Sequence, residues 1–149
     1  MKNILKSIVL VVLLGVSQVS NAQVYFKMVV EDFYNFEFPR KMSASNALNQ
    51  NAHTELQGTT GRCEYIINEY TKKMIVVLDN GIKNEYDILG YANGNKKAYL
   101  VVGPGFDGKV SRIMVSIVDS TDGEPYLLVE SQVKDRPEVQ RATMAKILN

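Results

Sequence analysis

Cys63 and His53 are the single cysteine and the single histidine of the chain. They are also the residue types from which a thiol nucleophile and its base are built. Their surroundings argue for other roles. Cys63 alternates with Tyr65 and Ile67 as one face of a strand does, and a free cysteine in such a place packs as a small hydrophobe. His53 stands in a polar stretch without a second histidine, so a zinc site lacks its usual ligands. No catalytic residue and no metal ligand is assigned.

Two loops imitate ligand-binding motifs. Gly103 to Gly108 reads G-P-G-F-D-G, the spacing of a dinucleotide-binding turn. That turn must open a helix whose first amides face a pyrophosphate. Here the following residues, Lys109 to Val118, alternate as a strand, and Pro104 has no amide hydrogen to donate. The string is read as a hairpin connection, and no cofactor is expected. Asp119 to Glu124 resembles a calcium loop only in composition. Its oxygen donors miss the alternate positions such a loop needs, and Asp and Gly are what a turn prefers.

The chain has no G-x-S-x-G elbow and no H-E-x-x-H helix. Its acidic residues are scattered, so a hydrolase using dispersed carboxylates is the enzymatic reading left open. The absence of Trp disfavours sugar stacking. The feature with functional colour is aromatic: Tyr25, Phe26, Phe33, Tyr34, Phe36 and Phe38 crowd into fourteen positions. Set at the mouth of a curved sheet, they would hold an acyl chain or another apolar ligand. The alternative is that they are ordinary core and edge residues of the first strand.

These residues must be carried by an exported domain. Lys2 and Lys6 precede an apolar run from Ile8 to Leu14, and Ser20-Asn21-Ala22 supplies the small-x-small pattern of signal peptidase. A leader over residues 1–22 is predicted, cleaved after Ala22. The apolar run is too short to span a bilayer, and no second one follows, so no integral membrane span is expected. Of the 149 residues, removal of 22 leaves 127, the length of one domain. Two of the 17 Lys and Arg residues go with the leader, leaving 15 against 16 Asp and Glu and a net charge near −1. A nucleic-acid surface shows a clustered basic stripe, so that partner class is excluded. One cysteine forms no internal disulfide, and the fold must rest on its apolar core. Export with so little cysteine fits a bacterial periplasm or cell surface.

Along the chain, a strand is expected over Val24 to Val30, running into the aromatic stretch that Pro39 ends. Residues 40–61 turn polar and read as a surface excursion, with Ala44, Ala47 and Leu48 able to support a short helix. Strands follow over Cys63 to Tyr70, Met74 to Asp79, Ile82 to Tyr91, Lys97 to Val102, Val110 to Asp119 and Tyr126 to Val133. The unbroken Met-Ile-Val-Val-Leu run reads as buried on both faces, and Asn80-Gly81 as a type I′ turn. From Asp135 the pattern changes. Asp135 and Glu138 form a capping box, and Val139, Ala142, Thr143, Ala145, Ile147 and Leu148 fit a terminal helix with one apolar side. The expected fold is α+β: an antiparallel β meander of about seven strands, curved into a half-barrel or barrel, with a C-terminal helix. An outer-membrane barrel is disfavoured by Lys83, Glu85, Asp87, Lys96, Lys97 and Arg112 in the strand region.

Arg62 to Leu78, reading RCEYIINEYTKKMIVVL, resembles small exported bacterial β-rich proteins of uncharacterised function, in which a strand, a charged TKK turn and an apolar strand recur. Some of these resemble the lipoprotein-carrier half-barrel. That resemblance implies a curved antiparallel sheet, covered by helices, that holds acyl chains. The chain departs from the carriers in offering one helix to cover the sheet. The expected function is non-covalent binding in the bacterial cell envelope, of a hydrophobic small molecule or an envelope protein, without catalysis. The other readings are a structural or protein-interaction module acting through residues 40–61 or a sheet edge, and the hydrolase.

Overall fold

The structure, a computed structural model, describes residues 25–58, 61–105, 108–119 and 123–148. The predicted leader and its cleavage point lie outside the described residues, as do Phe106 and Asp107 of the glycine string and Ser120 to Asp122 of the acidic loop.

Among the described residues nine strands form one antiparallel sheet: β1 (Tyr25–Pro39), β2 (Thr54–Glu55), β3 (Cys63–Asn68), β4 (Lys73–Leu78), β5 (Lys83–Tyr91), β6 (Ala98–Pro104), β7 (Val110–Asp119), β8 (Pro125–Gln132) and β9 (Val139–Leu148). From β3 to β9 each strand pairs with the next in sequence, and β1 pairs with both β3 and β9. The sheet therefore closes into an eight-stranded up-and-down barrel, with β2 added to the outer end of β1. Closure removes the edges that an open sheet would expose. Eight strands give an interior that side chains just fill, or that keeps room for one small ligand.

The expected C-terminal helix is a strand. β9 pairs with β8 from Tyr126↔Lys146 to Gln132↔Gln140, and with β1 from Val29↔Leu148 to Pro39↔Val139. Its alanines and methionine gave a helix-compatible pattern, but the same residues alternate well. Ala145 lies in the barrel core and Ala142 in the packing outside it. Two waiting strand edges outweigh a propensity difference of less than about 1 kcal/mol per residue. Asp135 and Glu138 belong instead to the β8–β9 turn, closed by the Arg136 amide donating to Val133 O (3.2 Å) and the Val139 amide to Arg136 O (3.0 Å). The half-barrel covered by helices, implied by the carrier resemblance, is likewise replaced by a sheet that covers itself.

Two smaller corrections concern β4. Met74 and Val76 are buried while Ile75 and Val77 are only half-buried, so the apolar run has one inner face. The Asn80-Gly81 turn is not type I′, because only Gly81 takes a positive φ (81°). The Gly81 amide donates to Leu78 O, the Leu78 amide to Ile82 O, and Asn80 Oδ1 accepts from the Ile82 amide. That makes a three-residue loop with glycine in the left-handed position.

The excursion holds structure as well. A six-residue helix, α1 (Ala44–Asn49), is capped by Ser43, whose Oγ accepts from the Asn46 amide at 3.2 Å. A helix this short does not persist alone. It is held because Ala44 and Ala47 bury against Phe36 and Phe38.

Candidate functional site

The geometry of the site begins with one extra residue in β1. Between Glu31↔Lys146 and Tyr34↔Met144 the chain advances three residues on β1 and two on β9. Asp32 absorbs the difference with φ 57°, in the left-handed region that Asp tolerates better than most. A bulge of this kind exchanges the faces of the strand beyond it. Before it, Met28 and Val30 point into the barrel. After it, Phe33 packs on that core, while Phe36 and Phe38 join a separate cluster under α1.

Inside, Val30, Ile67, Met74, Val101, Val115, Leu127 and Ala145 fill the middle of the barrel. One end is plugged. Tyr91 and Tyr99 both donate to Glu69 Oε1, at 2.8 and 2.7 Å, and Tyr99 packs against Tyr91 and Phe26 with ring centroids 5.5 and 6.1 Å apart.

The other end is open. A cavity of about 530 Å³ enters the barrel between β1 and the β3–β6 wall. Phe33, Tyr65 and Tyr86 are its aromatic lining; Val76, Leu78, Ile113 and Val129 are its aliphatic lining; Arg62, Cys63, Asp79, Asn80, Asn84 and Thr143 are its polar points. Burial pushes the phenols of Tyr65 and Tyr86 above their usual value. It does the same to the Cys63 thiol, with the Asp79 carboxylate adding to the effect. All three stay protonated at neutral pH, so most of the wall is uncharged. The Tyr86 ring lies across Gly103 and its hydroxyl donates to Pro104 O at 3.0 Å. A Cβ on Gly103 would overlap Tyr86 Cδ1 and come within 2.9 Å of Cγ, so only glycine allows that ring position.

Above Phe33 the inner face of β1 turns polar. Thr143 Oγ1 donates to Asn35 Oδ1 at 2.6 Å. Glu37 Oε1 accepts from Arg136 and Arg141 at 2.7 and 2.8 Å. Burial alone would raise the Glu37 carboxyl, but the two guanidiniums outweigh it and hold the group below its ordinary value.

On the outer face, Tyr34, Phe36 and Phe38 stack at centroid distances of 5.5 and 5.7 Å beneath α1. His53 completes this cover. Its ring packs edge-on against Phe36, Nδ1 lies 3.3 Å from Ala47 O, and Nε2 lies 3.0 Å from the Tyr34 hydroxyl. Tyr34 also donates to Glu55 Oε1 at 2.7 Å; burial first, and then that carboxylate, raise its pKa to about 12. A more open groove of about 1030 Å³ runs outside the barrel between this excursion and the 136–139 turn.

The six aromatic candidates are thus not brought together. Phe33 lines the cavity, Phe26 belongs to the plugged end, and Tyr34, Phe36 and Phe38 are on the outer face. Tyr25 opens β1, opposite Asn68 of β3. Cys63 and His53 are separated in the same way, one at the mouth and one under α1. Sequence reading missed Tyr65, Tyr86, Val129 and Thr143. The one available signal was Gly103, since a glycine inside a strand often marks a close ring or backbone approach.

No protein-family model matches the sequence, and no curated protein is detectably similar to it. Among solved structures, a mutant of the vaccine antigen Transferrin Binding Protein B from Haemophilus parasuis Hp5 is similar at 11% identity and a TM-score of 0.36. The match covers 85% of this chain and 27% of that one, so the chain spans about a quarter of that protein's length.

Proposed function

We propose that the chain is an exported, non-catalytic binding protein of the bacterial cell envelope, and that the open end of its barrel holds a small hydrophobic ligand. The observation that carries this reading is the cavity of about 530 Å³ with three aromatic and four aliphatic side chains in its wall. Its size lies within the few-hundred to one-thousand Å³ range of small-molecule sites, and an apolar wall with a few fixed polar groups is their usual make-up. Asn84, Thr143 and the Tyr86 hydroxyl supply those polar groups. Export rests on the leader read from residues 1–22, and the non-catalytic reading on Cys63 and His53 lying apart, one at the mouth and one under α1.

Native mass spectrometry of the purified protein, followed by solvent extraction, tests this. A co-purifying small molecule is expected, or else saturable binding of the fluorescent probe N-phenylnaphthylamine. In Val129→Phe, which fills the cavity, probe affinity falls about tenfold or more, the equivalent of about 1.4 kcal/mol. No bound molecule and no probe binding would overturn the ligand reading in favour of a protein partner.

A further inference from the structure

Next to the apolar cavity, and sharing Gly105 with it, lies a second hollow of about 630 Å³. The two occupy successive levels of one wall. Ile113, Val129 and Thr143 of β7, β8 and β9 face the first; two residues nearer the rim on each strand, Ser111, Ser131 and Arg141 face the second. The character of the wall changes over that single step, from aliphatic to hydroxyl and guanidinium. Around the second hollow the charged side chains are Lys109, Lys134 and Arg141 against Asp135, while Arg112, between Ser111 and Ile113, lies on the outer face of β7. Arg141 is partly balanced by Glu37, which also holds Arg136 (2.7 and 2.8 Å). The arginine and the two hydroxyls sit within a recess with low-dielectric walls, where a cationic excess focuses its field.

Resting on the ligand reading of the mouth cavity, we infer that the ligand is an amphipathic anion. Its apolar part enters the barrel beside Tyr65 and Val129, and its carboxylate or phosphate headgroup is held at the rim by Lys134 and Arg141 with the Ser111 and Ser131 hydroxyls. The order of the two hollows fixes the polarity of entry: the apolar end goes in first, and the charged end stays near solvent. Guanidiniums suit this task because they meet carboxylate and phosphate oxygens with paired donors.

Four probes separate the parts of the inference: dodecanoate, dodecyl phosphate, dodecanol and inorganic phosphate, each titrated below its micelle concentration by calorimetry. Both amphiphilic anions bind about tenfold or more tighter than dodecanol, and the gap narrows in about 0.5 M NaCl as screening shortens the reach of the rim charges. In Lys134→Gln, whose side chain is exposed, the gap between dodecanoate and dodecanol narrows about threefold. Equal affinity of the unmodified protein for dodecanol and the anions overturns the headgroup site while leaving the apolar cavity standing. Failure of all three amphiphiles overturns the cavity reading itself. Inorganic phosphate binding as tightly as dodecyl phosphate, with dodecanol inert, overturns the amphiphile and leaves a free-anion site.

Discussion

At one end of the barrel, two tyrosines donate to a single acceptor, Glu69, and stack with Phe26. At the other, Tyr65 and Tyr86 line a cavity from β3 and β5 of one wall, and Tyr86 donates to a backbone carbonyl of that wall. The same side chain plugs one end and lines the other. What differs is the neighbour. The plugged end has a carboxylate within reach of both hydroxyls. The open end has Gly103, which lets Tyr86 lie flat on the wall instead of reaching across, and the bulge at Asp32, which carries Phe36 and Phe38 out of the barrel. An opening in an eight-stranded barrel is thus made by removing side chains from the axis, without any change in strand number.

The comparison is broken most severely by Tyr99→Ala. It removes the ring that the plug is built around, and a loss of about 3–5 kcal/mol in urea unfolding is expected, the usual range for deleting a buried aromatic. Next comes Gly103→Ala at the mouth. The new Cβ drives the Tyr86 ring off the wall, costing about 1–3 kcal/mol, as overpacking does. It also moves that ring into the cavity, so probe affinity falls with stability. Gly108→Ala, where nothing stands within 4 Å of the new Cβ, leaves the cavity and probe affinity unaffected.

Glu37→Gln has a smaller and pH-dependent effect. The folded carboxyl titrates below its ordinary value of 4.5 because Arg136 and Arg141 bind its charged form. The stabilisation is therefore complete above the unfolded value and is lost as pH falls through the folded one. Both arginines are substantially exposed, so about 1 kcal/mol is expected at neutral pH, the scale of a solvent-screened pair. The variant's stability should fall less steeply between neutral pH and acid; equal slopes would remove Glu37 from the account. Val129→Phe acts on binding rather than on stability. Added volume enters an existing cavity, so stability changes by less than about 1.5 kcal/mol while ligand binding is lost. In the packed middle of the barrel, Val101→Phe has no such space and should be several times more costly.

The sequence made the strands from Cys63 to Gln132 legible, because turns and alternation coincide there. Cys63, Tyr65 and Ile67 do share a face, and β7 starts and stops at Val110 and Asp119. Three things were hidden. The strand character of β9 depends on edges supplied by β1 and β8, which are distant in sequence. The bulge at Asp32 leaves no local mark, since an Asp between two apolar runs reads simply as polar. Without it, Phe26 and Phe36 belong to one face; with it, one is inside the barrel and the other under α1. The excursion's few apolar residues looked weak because Ala44 and Ala47 have little surface of their own. They matter because two buried phenylalanines need small partners above them. The mouth cavity follows from all three, since its lining comes from all eight strands of the barrel and is assembled only by closure.

Cys63 offers a direct report on the mouth, being the single cysteine of the chain and part of the cavity wall. The deciding measurement is its rate of alkylation by N-ethylmaleimide with and without dodecanol. If the cavity holds the alkyl chain, dodecanol at about ten times its Kd slows the reaction about tenfold, in step with the fraction of empty protein. An unchanged rate while dodecanol is bound would place the ligand elsewhere and contradict the account.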